Sequence, residues 1–128
     1  MSERTSELAM GWVEAWQRFD MEWLRQHLAP DFVHVSPLGR FDDRETYLAA
    51  AEPMARKSVT ELVIRETIVD GDVAAIRFEN RTPLGAVESV DWVRVEDGLI
   101  REIRSFYDSA NIREILSPAE QDSLDGSG

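Results

Sequence analysis

The chain has 128 residues, 43% of them hydrophobic, which suits a single compact domain with a sizeable core. With 14 basic and 25 acidic residues its formal charge is -11, so neither nucleic acid nor an anionic membrane surface is an expected partner. It has no cysteine, which excludes disulfides, thiolate catalysis and cysteine-based zinc sites, and it shows neither a signal peptide nor an apolar run near the ~20 residues of a membrane span, so we expect a cytoplasmic protein.

Two helices are predicted at the N-terminal end. Apolar residues recur at helical spacing over Thr5–Phe19 and predict an amphipathic helix. Asp20 is placed to cap a second helix that continues through Leu28. This second helix should end before Pro30, because a proline disfavours helical backbone in the residue that precedes it.

The segment DFVHVSPLGRF is predicted to begin as a strand and to stop at Pro-Leu-Gly. Strand alternation places Phe32, His34 and Ser36 on one face and two valines on the other. A helix should follow, because Asp42 and a glutamate three residues later have the spacing of a capping box. Pro53 is expected to end or kink that helix.

The second half of the chain is predicted to form a strand meander. Short glycine-containing connections separate four β-type runs and make each successive pair an antiparallel hairpin. The four runs are Val59–Val69, Val73–Thr82, Ala86–Val95 and Leu99–Tyr107. A short helix over Ala110–Leu116 follows, and residues 117–128 form a polar tail with too little apolar surface to order itself. Helices followed by a meander predict an α+β fold for residues 1–116, in which the helices cover one face of a curved antiparallel sheet.

Two longer stretches carry a resemblance to a known family. They are LAPDFVHVSPLGRFDDRETYLAAA, with the first strand and third helix, and VDWVRVEDGLIREIRSFYD, in the last hairpin. In this order, over about residues 8–116, they resemble the nuclear transport factor 2-like superfamily, in particular its SnoaL-like and ketosteroid isomerase-like small bacterial proteins. The resemblance implies a cone-shaped α+β barrel that encloses an apolar pocket, and usually a homodimer formed through the outer surface of the sheet. It does not imply one activity, because the superfamily includes isomerases, cyclases, dehydratases, epoxide hydrolases and binding modules.

The resemblance also assigns roles to individual positions. In ketosteroid isomerase-like members the residue before the proline of the first strand is an aspartate that acts as general base, and here it is Ser36, so the classical isomerase mechanism is doubtful. Trp12 lies where those enzymes have a tyrosine that hydrogen-bonds the developing oxyanion. Asp91 falls where they have a protonated aspartic acid, the second oxyanion donor. The residues that the resemblance places at a bound ligand are Trp12, Phe32, Ser36, Ser105 and Tyr107.

The epoxide hydrolases of the superfamily provide a second template. They use an Arg-x-Asp on a middle strand together with an aspartate two residues before the closing aromatic. Arg77-Phe78-Glu79 is loosely similar to the first part, but Ser105 stands at the late aspartate. We therefore expect Arg77 and Glu79 to form surface or cross-strand ion pairs instead.

Asp91 also stands out from the residues alone. In VESVDWVRV it shares one strand face with Ser89, Val93 and Val95. If that face is interior, loss of solvent raises the pKa of Asp91, and the residue becomes a candidate catalytic acid. The alternatives are an exposed strand aspartate or one bonded to a backbone amide.

His34 has several possible roles. It could act as a base near neutral pH, pair with Asp91 as an oriented dyad, or be a core imidazole bonded to a carbonyl. A metal site is poorly supported, because the only other histidine, His27, does not have the spacing of a zinc pair. No phosphate loop, dinucleotide fingerprint or nucleophile elbow is present, so we expect neither a metal nor a cofactor.

Three functions remain open at this point. The first is a cofactor-free enzyme that acts on a small hydrophobic molecule, carbonyl-bearing or polycyclic, by acid–base isomerisation, cyclisation, dehydration or hydration, with Asp91 and His34 as catalytic residues. The second is a binding module for such a molecule, and the third is a dimerisation domain. A homodimer is expected in each case, because the sheet face with Val90, Trp92 and Phe106 carries more apolar surface than usually stays exposed.

Overall fold

The computed structural model describes residues 2–58, 61–82 and 85–108, and within them the chain forms helices followed by a meander, as predicted. The elements in chain order are α1 (Ser2–Arg18), α2 (Met21–His27), β1 (Leu28–Ser36), β2 (Gly39–Phe41), α3 (Arg44–Ser58), β3 (Glu61–Asp70), β4 (Val73–Thr82), β5 (Gly85–Glu96) and β6 (Leu99–Phe106). The helix expected over residues 110–116 and the polar tail over residues 117–128 lie outside the described residues.

The second helix ends before Pro30, as predicted, but the strand that follows begins earlier than expected. The second helix ends at His27, and Leu28 is already the first residue of β1, so Pro30 lies inside a strand. The pairing of β1 with β6 shifts register between Leu28 and Val33. A proline lacks the backbone N–H that a regular ladder needs, and this irregular stretch is where a strand tolerates one.

The start of α3 corrects another prediction. The residue that caps this helix is Asp43, whose Oδ1 accepts a hydrogen bond from the backbone N–H of Thr46 at 2.8 Å. Asp42 instead pairs with Arg40 at 2.7 Å. Pro53 does not end the helix, which continues to Ser58. The sequence reading also missed β2, a strand of three residues that pairs with the end of β1.

The six strands form one curved sheet in the order β2-β1-β6-β5-β4-β3. All neighbours are antiparallel except β1 and β6, which are parallel. On one face of the sheet, α1 packs against β3, β4 and β5, and α3 packs against β1 and β2. The core therefore lies between this face and the helices. Among the described residues, no helix has both the length and the apolar character needed to cross a membrane.

Strand β5 has the inward and outward faces that its alternation predicts. Its inward side chains, from Val87 through Ser89, Asp91 and Val93 to Val95, are all buried. The outer face of the sheet, by contrast, leaves three large hydrophobic side chains in solvent, which are Ile68, Trp92 and Phe106.

Candidate functional site

A buried hydrogen bond joins the first helix to the middle of the sheet. The indole Nε1–H of Trp12, on α1, donates to Oδ2 of Asp91, on β5, at 2.7 Å. Only 4% of Asp91 and 2% of Trp12 is exposed. Asp91 is thus not an exposed strand aspartate, and its carboxyl group lies in the interior, where it accepts a hydrogen bond from a side chain.

Ser105 extends this hydrogen bond into a chain that ends at His34. Ser105 is the cross-strand partner of Asp91, and its hydroxyl lies close enough to the carboxyl group to oppose the increase in the pKa of Asp91. Its Oγ also lies 3.3 Å from Nε2 of His34. The parallel pairing of β1 with β6 brings His34 to this point, because His34 pairs with Ile103, two residues before Ser105. The direct His34–Asp91 dyad considered from the sequence is therefore replaced by a serine-bridged one.

Burial shifts the pKa values of Asp91 and His34 in opposite directions. Loss of solvent raises the pKa of Asp91 from 3.8 to about 6, although the hydrogen bonds from Trp12 and Ser105 work against the increase. Loss of solvent lowers the pKa of His34 from 6.5 to about 3. At neutral pH the site therefore holds a carboxylate and a neutral imidazole.

These charges determine the direction of the hydrogen bonds. A carboxylate can only accept, so the Ser105 O–H donates to Asp91, and Ser105 Oγ then accepts from Nε2–H of His34. A neutral imidazole carries one N–H, so Nδ1 of His34 keeps its lone pair. That nitrogen is buried and has no hydrogen-bond partner within the described part of the chain.

Tyr47, on α3, is a site residue that the sequence analysis did not identify. Its ring lies 4.7 Å from the His34 ring between centroids and 5.2 Å from Phe32. Its hydroxyl is buried and, among the described residues, makes no hydrogen bond. Burial, with a contribution from the charge of Asp91, raises the pKa of Tyr47 well above 10. The Trp16 indole acts in the opposite direction, but its N–H and the Tyr47 hydroxyl lie outside hydrogen-bond geometry.

The aromatic rings around His34 enclose the hydrogen-bonded chain. Trp12 lies 6.0 Å from His34, 6.1 Å from Phe32 and 5.9 Å from Tyr47 between ring centroids. Phe41 adds an edge contact to Tyr47 at 5.8 Å. The interior at this end of the sheet therefore combines packed aromatic rings with three unpartnered polar atoms, an acceptor on His34 and donors on Tyr47 and Trp16.

The other residues that the resemblance assigned to a ligand differ in their burial and in whether their polar groups are already hydrogen-bonded within the protein. Phe32 lies within the aromatic cluster and is fully buried, and Tyr107 is half-buried against the core. The Oγ of Ser36 accepts from the backbone N–H of Leu38 at 3.1 Å, so this hydroxyl stabilises the turn after β1. The N–H of Trp12 is likewise engaged, because it donates to Asp91 and not outward to a ligand oxygen.

The epoxide hydrolase template does not apply to the middle of the sheet. Arg77 is exposed and pairs with Glu66 and Glu88 at 3.5 and 2.8 Å. Glu79 pairs with Arg65 and Arg81 at 3.4 and 2.8 Å. The prediction that Arg77 and Glu79 form surface or cross-strand pairs is confirmed.

His27 lies outside the aromatic cluster. Its ring stacks on Trp23 of the same helix, with 4.1 Å between centroids. In residues 2–58, 61–82 and 85–108, no three histidine, cysteine, aspartate or glutamate side chains come together in a way that could hold a metal ion.

Helices over the inner face of a curved sheet, with ionisable groups buried between them, define the chain as a nuclear transport factor 2-like protein. It belongs to the SnoaL-like domain family, whose model matches residues 9–103. No curated protein sequence matches the chain.

Solved structures with the same fold have several described roles. A nuclear transport factor 2-like protein of unknown function from Mesorhizobium loti is 26% identical, with a TM-score of 0.75 over 84% of this chain and 93% of that one. A candidate ketosteroid isomerase from Kribbella flavida is 22% identical, with a TM-score of 0.73 over 85% and 81%. An epoxide hydrolase of the LEH-like type from M. tuberculosis is 17% identical, with a TM-score of 0.73 over 90% of each chain.

Proposed function

We propose that this protein is a cofactor-free acid–base enzyme that acts on a small, uncharged, hydrophobic molecule. The observation that supports it is the buried Asp91–Ser105–His34 chain, which ends in an unpartnered nitrogen on a ring that lies 4.7 Å from the ring of Tyr47, whose hydroxyl is also unpartnered. An unsatisfied buried polar group costs the folded protein about 1–3 kcal/mol. Two such groups beside the Asp91–Ser105–His34 series are therefore better explained by contact with a substrate than by packing. The similarity to a candidate ketosteroid isomerase and to an epoxide hydrolase supports an enzyme of this kind.

The chemistry of the site indicates the class of substrate. Rings of Trp12, Phe32 and Tyr47 favour a flat, apolar molecule. The Asp91 carboxylate and a formal charge of -11 disfavour an anion. A carbonyl oxygen would accept from the Tyr47 hydroxyl, and an acidic C–H beside that carbonyl would face Nδ1 of His34. Isomerisation, cyclisation and dehydration all begin with removal of such a proton.

A binding module for the same kind of molecule is the second candidate. The observation that favours it is Ser36, which stands at the position of the isomerase base and whose hydroxyl is engaged in a turn. Under this reading His34 and Tyr47 hold the ligand by hydrogen bonds without turnover.

We also propose that the protein is a homodimer formed through the outer face of the sheet. Trp92 and Phe106 are 40% and 57% exposed there, although both are large and apolar. Burying them between two copies would remove this surface from water.

The test begins with the molecule that co-purifies with the native protein, identified by native mass spectrometry. Turnover of that molecule is then measured for the wild type, for Asp91→Asn and for His34→Gln. Because both variants interrupt the acid–base chain, we expect each to lower kcat about 10²–10⁴-fold. Ser89→Ala is the matched control, since Ser89 is buried on the same strand face as Asp91 but does not belong to the Asp91–Ser105–His34 series.

Undiminished turnover in both variants would reject the acid–base function. Tight binding of the molecule by the wild type, with no product formed, would favour the binding module instead.

A further inference from the structure

We propose that Ser105 relays protons between His34 and Asp91, so that a proton taken up at Nδ1 of His34 ends on the Asp91 carboxylate while the imidazole stays neutral. The proposal rests on the acid–base function above and assigns each atom a role within it. His34 is then the catalytic residue that touches the substrate, and Ser105 is the residue that connects it to the proton acceptor.

The geometry brings the three groups of this transfer together. Ser105 is directly opposite Asp91 in the β5–β6 ladder, and its Oγ lies 3.3 Å from Nε2 of His34. All three side chains are less than 10% exposed. The Trp12 N–H donates to Oδ2 of Asp91 at 2.7 Å and restrains the carboxylate. The relay is therefore fixed between one helix and three strands, β1, β5 and β6, and is shielded from bulk water.

The relay resolves a difficulty in the chemistry of His34. An imidazole with a pKa of about 3 is a weak base at neutral pH, because its protonated form would be a buried cation. Asp91 has a pKa of about 6, so a proton passed on to it is held roughly 10³-fold more tightly. The base strength of the connected site is thus that of Asp91, although the atom facing the substrate belongs to His34.

The step balances in protons and electrons. The substrate C–H bond breaks as the Nδ1–H bond of His34 forms, and Nε2–H passes to Ser105 Oγ while the original Ser105 proton passes to Asp91. The C–H electron pair moves to the adjacent carbonyl, whose oxygen becomes an enolate held by the Tyr47 O–H. The negative charge has then moved from Asp91 to the substrate. The reverse transfer, to a different carbon, completes an isomerisation.

The relay also predicts a change that needs no substrate. When Asp91 is protonated, its O–H can donate to Ser105, Ser105 can donate to Nε2 of His34, and the His34 proton moves to Nδ1. The other titratable groups that act on this cluster from the described elements are Tyr47, on α3, and Tyr107, which follows β6. The pKa of Tyr47 is raised well above 10, so this phenol keeps its proton throughout.

The test is ¹⁵N NMR of the histidine-labelled protein between pH 5 and 8, with the second histidine assigned by a His27→Gln variant. We expect the Nε2–H tautomer of His34 at pH 8 and the Nδ1–H tautomer at pH 5, with a midpoint near the Asp91 pKa of about 6. Ser105→Ala should abolish the coupled change, Ser105→Thr should restore it, and Ser89→Ala should leave it intact. With an identified substrate, Ser105→Ala should lower kcat about 10²–10⁴-fold and threonine should rescue it.

A single tautomer across the whole pH range in the wild type would overturn the relay, as would an imidazolium at pH 5 or a change that survives in Ser105→Ala. Because these readouts do not depend on turnover, they separate the relay from the proposed function. Loss of activity in Asp91→Asn together with a pH-independent His34 tautomer would retain the enzyme and reject the relay.

Discussion

At the scale of single residues, Asp91 and His34 have opposite effects on how stability depends on pH. The pKa of Asp91 is higher in the folded protein than the usual 3.8, so its contribution is fully present below about pH 3.8 and is lost as pH rises through about 6. The pKa of His34 is lower than the usual 6.5, so its contribution is present above pH 6.5 and is lost as pH falls through about 3. Between about pH 4 and 6 the two slopes oppose each other.

Single substitutions should therefore separate the two slopes. Asp91→Asn removes the slope of Asp91, so relative to the wild type we expect it to gain about 3 kcal/mol of unfolding free energy between pH 4 and 7. His34→Gln removes the other slope and should lose stability relative to the wild type, by a similar amount, over the same increase in pH. Urea unfolding at pH 4, 5, 6 and 7 measures both differences.

The pKa shifts of the surface carboxylates do not affect this comparison of unfolding free energies. Hydrogen bonds from Thr46 lower the pKa of Asp43, and hydrogen bonds from Arg44 and Arg81 lower those of Glu45 and Glu79 respectively. These groups are present in all three proteins, so their effect cancels in each difference from the wild type. Two variants whose stability parallels the wild type at every pH would show that neither group is perturbed by burial.

At the scale of secondary-structure elements, α1 positions the site because it is fixed to the sheet along its length. Near its start, Thr5 Oγ1 donates to the carbonyl of Gly71, between β3 and β4, at 2.8 Å. Near its end, Gln17 Oε1 accepts from the backbone N–H of Leu62, on β3. The Trp12–Asp91 hydrogen bond lies between these two points, so the orientation of the Asp91 carboxyl group depends on the position of the whole helix on the sheet.

The contact between α1 and α2 depends on one glycine. A Cβ at Gly11 would lie 2.2 Å from Cζ2 of Trp23, whose ring stacks on His27. A glycine inside a helix costs about 1 kcal/mol relative to alanine. At position 11 the missing side chain leaves the space that the Trp23 indole occupies.

Gly11→Ala should accordingly destabilise the protein by about 1–3 kcal/mol, because the Trp23 ring must leave its place against α1. In a Trp23→Ala background the same substitution should be neutral or stabilising by up to about 1 kcal/mol, since only helix propensity then remains. Thermal and urea unfolding of the four proteins complete a double-mutant cycle. An equal effect of Gly11→Ala in both backgrounds would contradict the contact.

At the scale of the whole molecule, the outer face of the sheet combines apolar side chains with balanced charges. Ile68, Ala75 and Trp92 are neighbours across β3, β4 and β5, and Phe106 lies opposite Val90. Around them, arginines and glutamates pair in equal numbers: Arg65, Arg77, Arg81, Arg94 and Arg104 with Glu61, Glu66, Glu79, Glu88 and Glu102. The formal charge of -11 therefore resides elsewhere, and two copies could meet here without strong repulsion.

We expect light scattering to give the mass of a dimer at micromolar concentration. Trp92→Glu should shift the protein to a monomer, because it places an unpaired charge in the apolar centre of the face. Gln26→Glu, which adds the same charge to an exposed position of α2, is the control and should remain dimeric. A monomeric wild type, or a dimer that survives Trp92→Glu, would reject this interface.

The local pattern of the sequence determined which side chains point inward. Strand alternation is a property of neighbouring residues, so the buried positions of Phe32, His34, Asp91 and Ser105 followed from the printed sequence together with the choice of inner face. The α+β class followed in the same way from helical periodicity and turn residues. The three-residue strand β2 was missed because so short a segment carries no period of its own.

Only the tertiary structure decided which groups meet. Trp12 and Asp91 are 79 residues apart in sequence, and His34 and Ser105 are 71 apart. Ser105 lies between His34 and Asp91 because β1 is parallel to β6, the last of the described strands, and no local pattern specifies this pairing. The ring of Tyr47 lies beside His34 because α3 packs on β1 and β2. Hydrogen-bond partners, and the pKa values that follow from burial, depend on such long-range packing, and an inward-facing position by itself does not determine them.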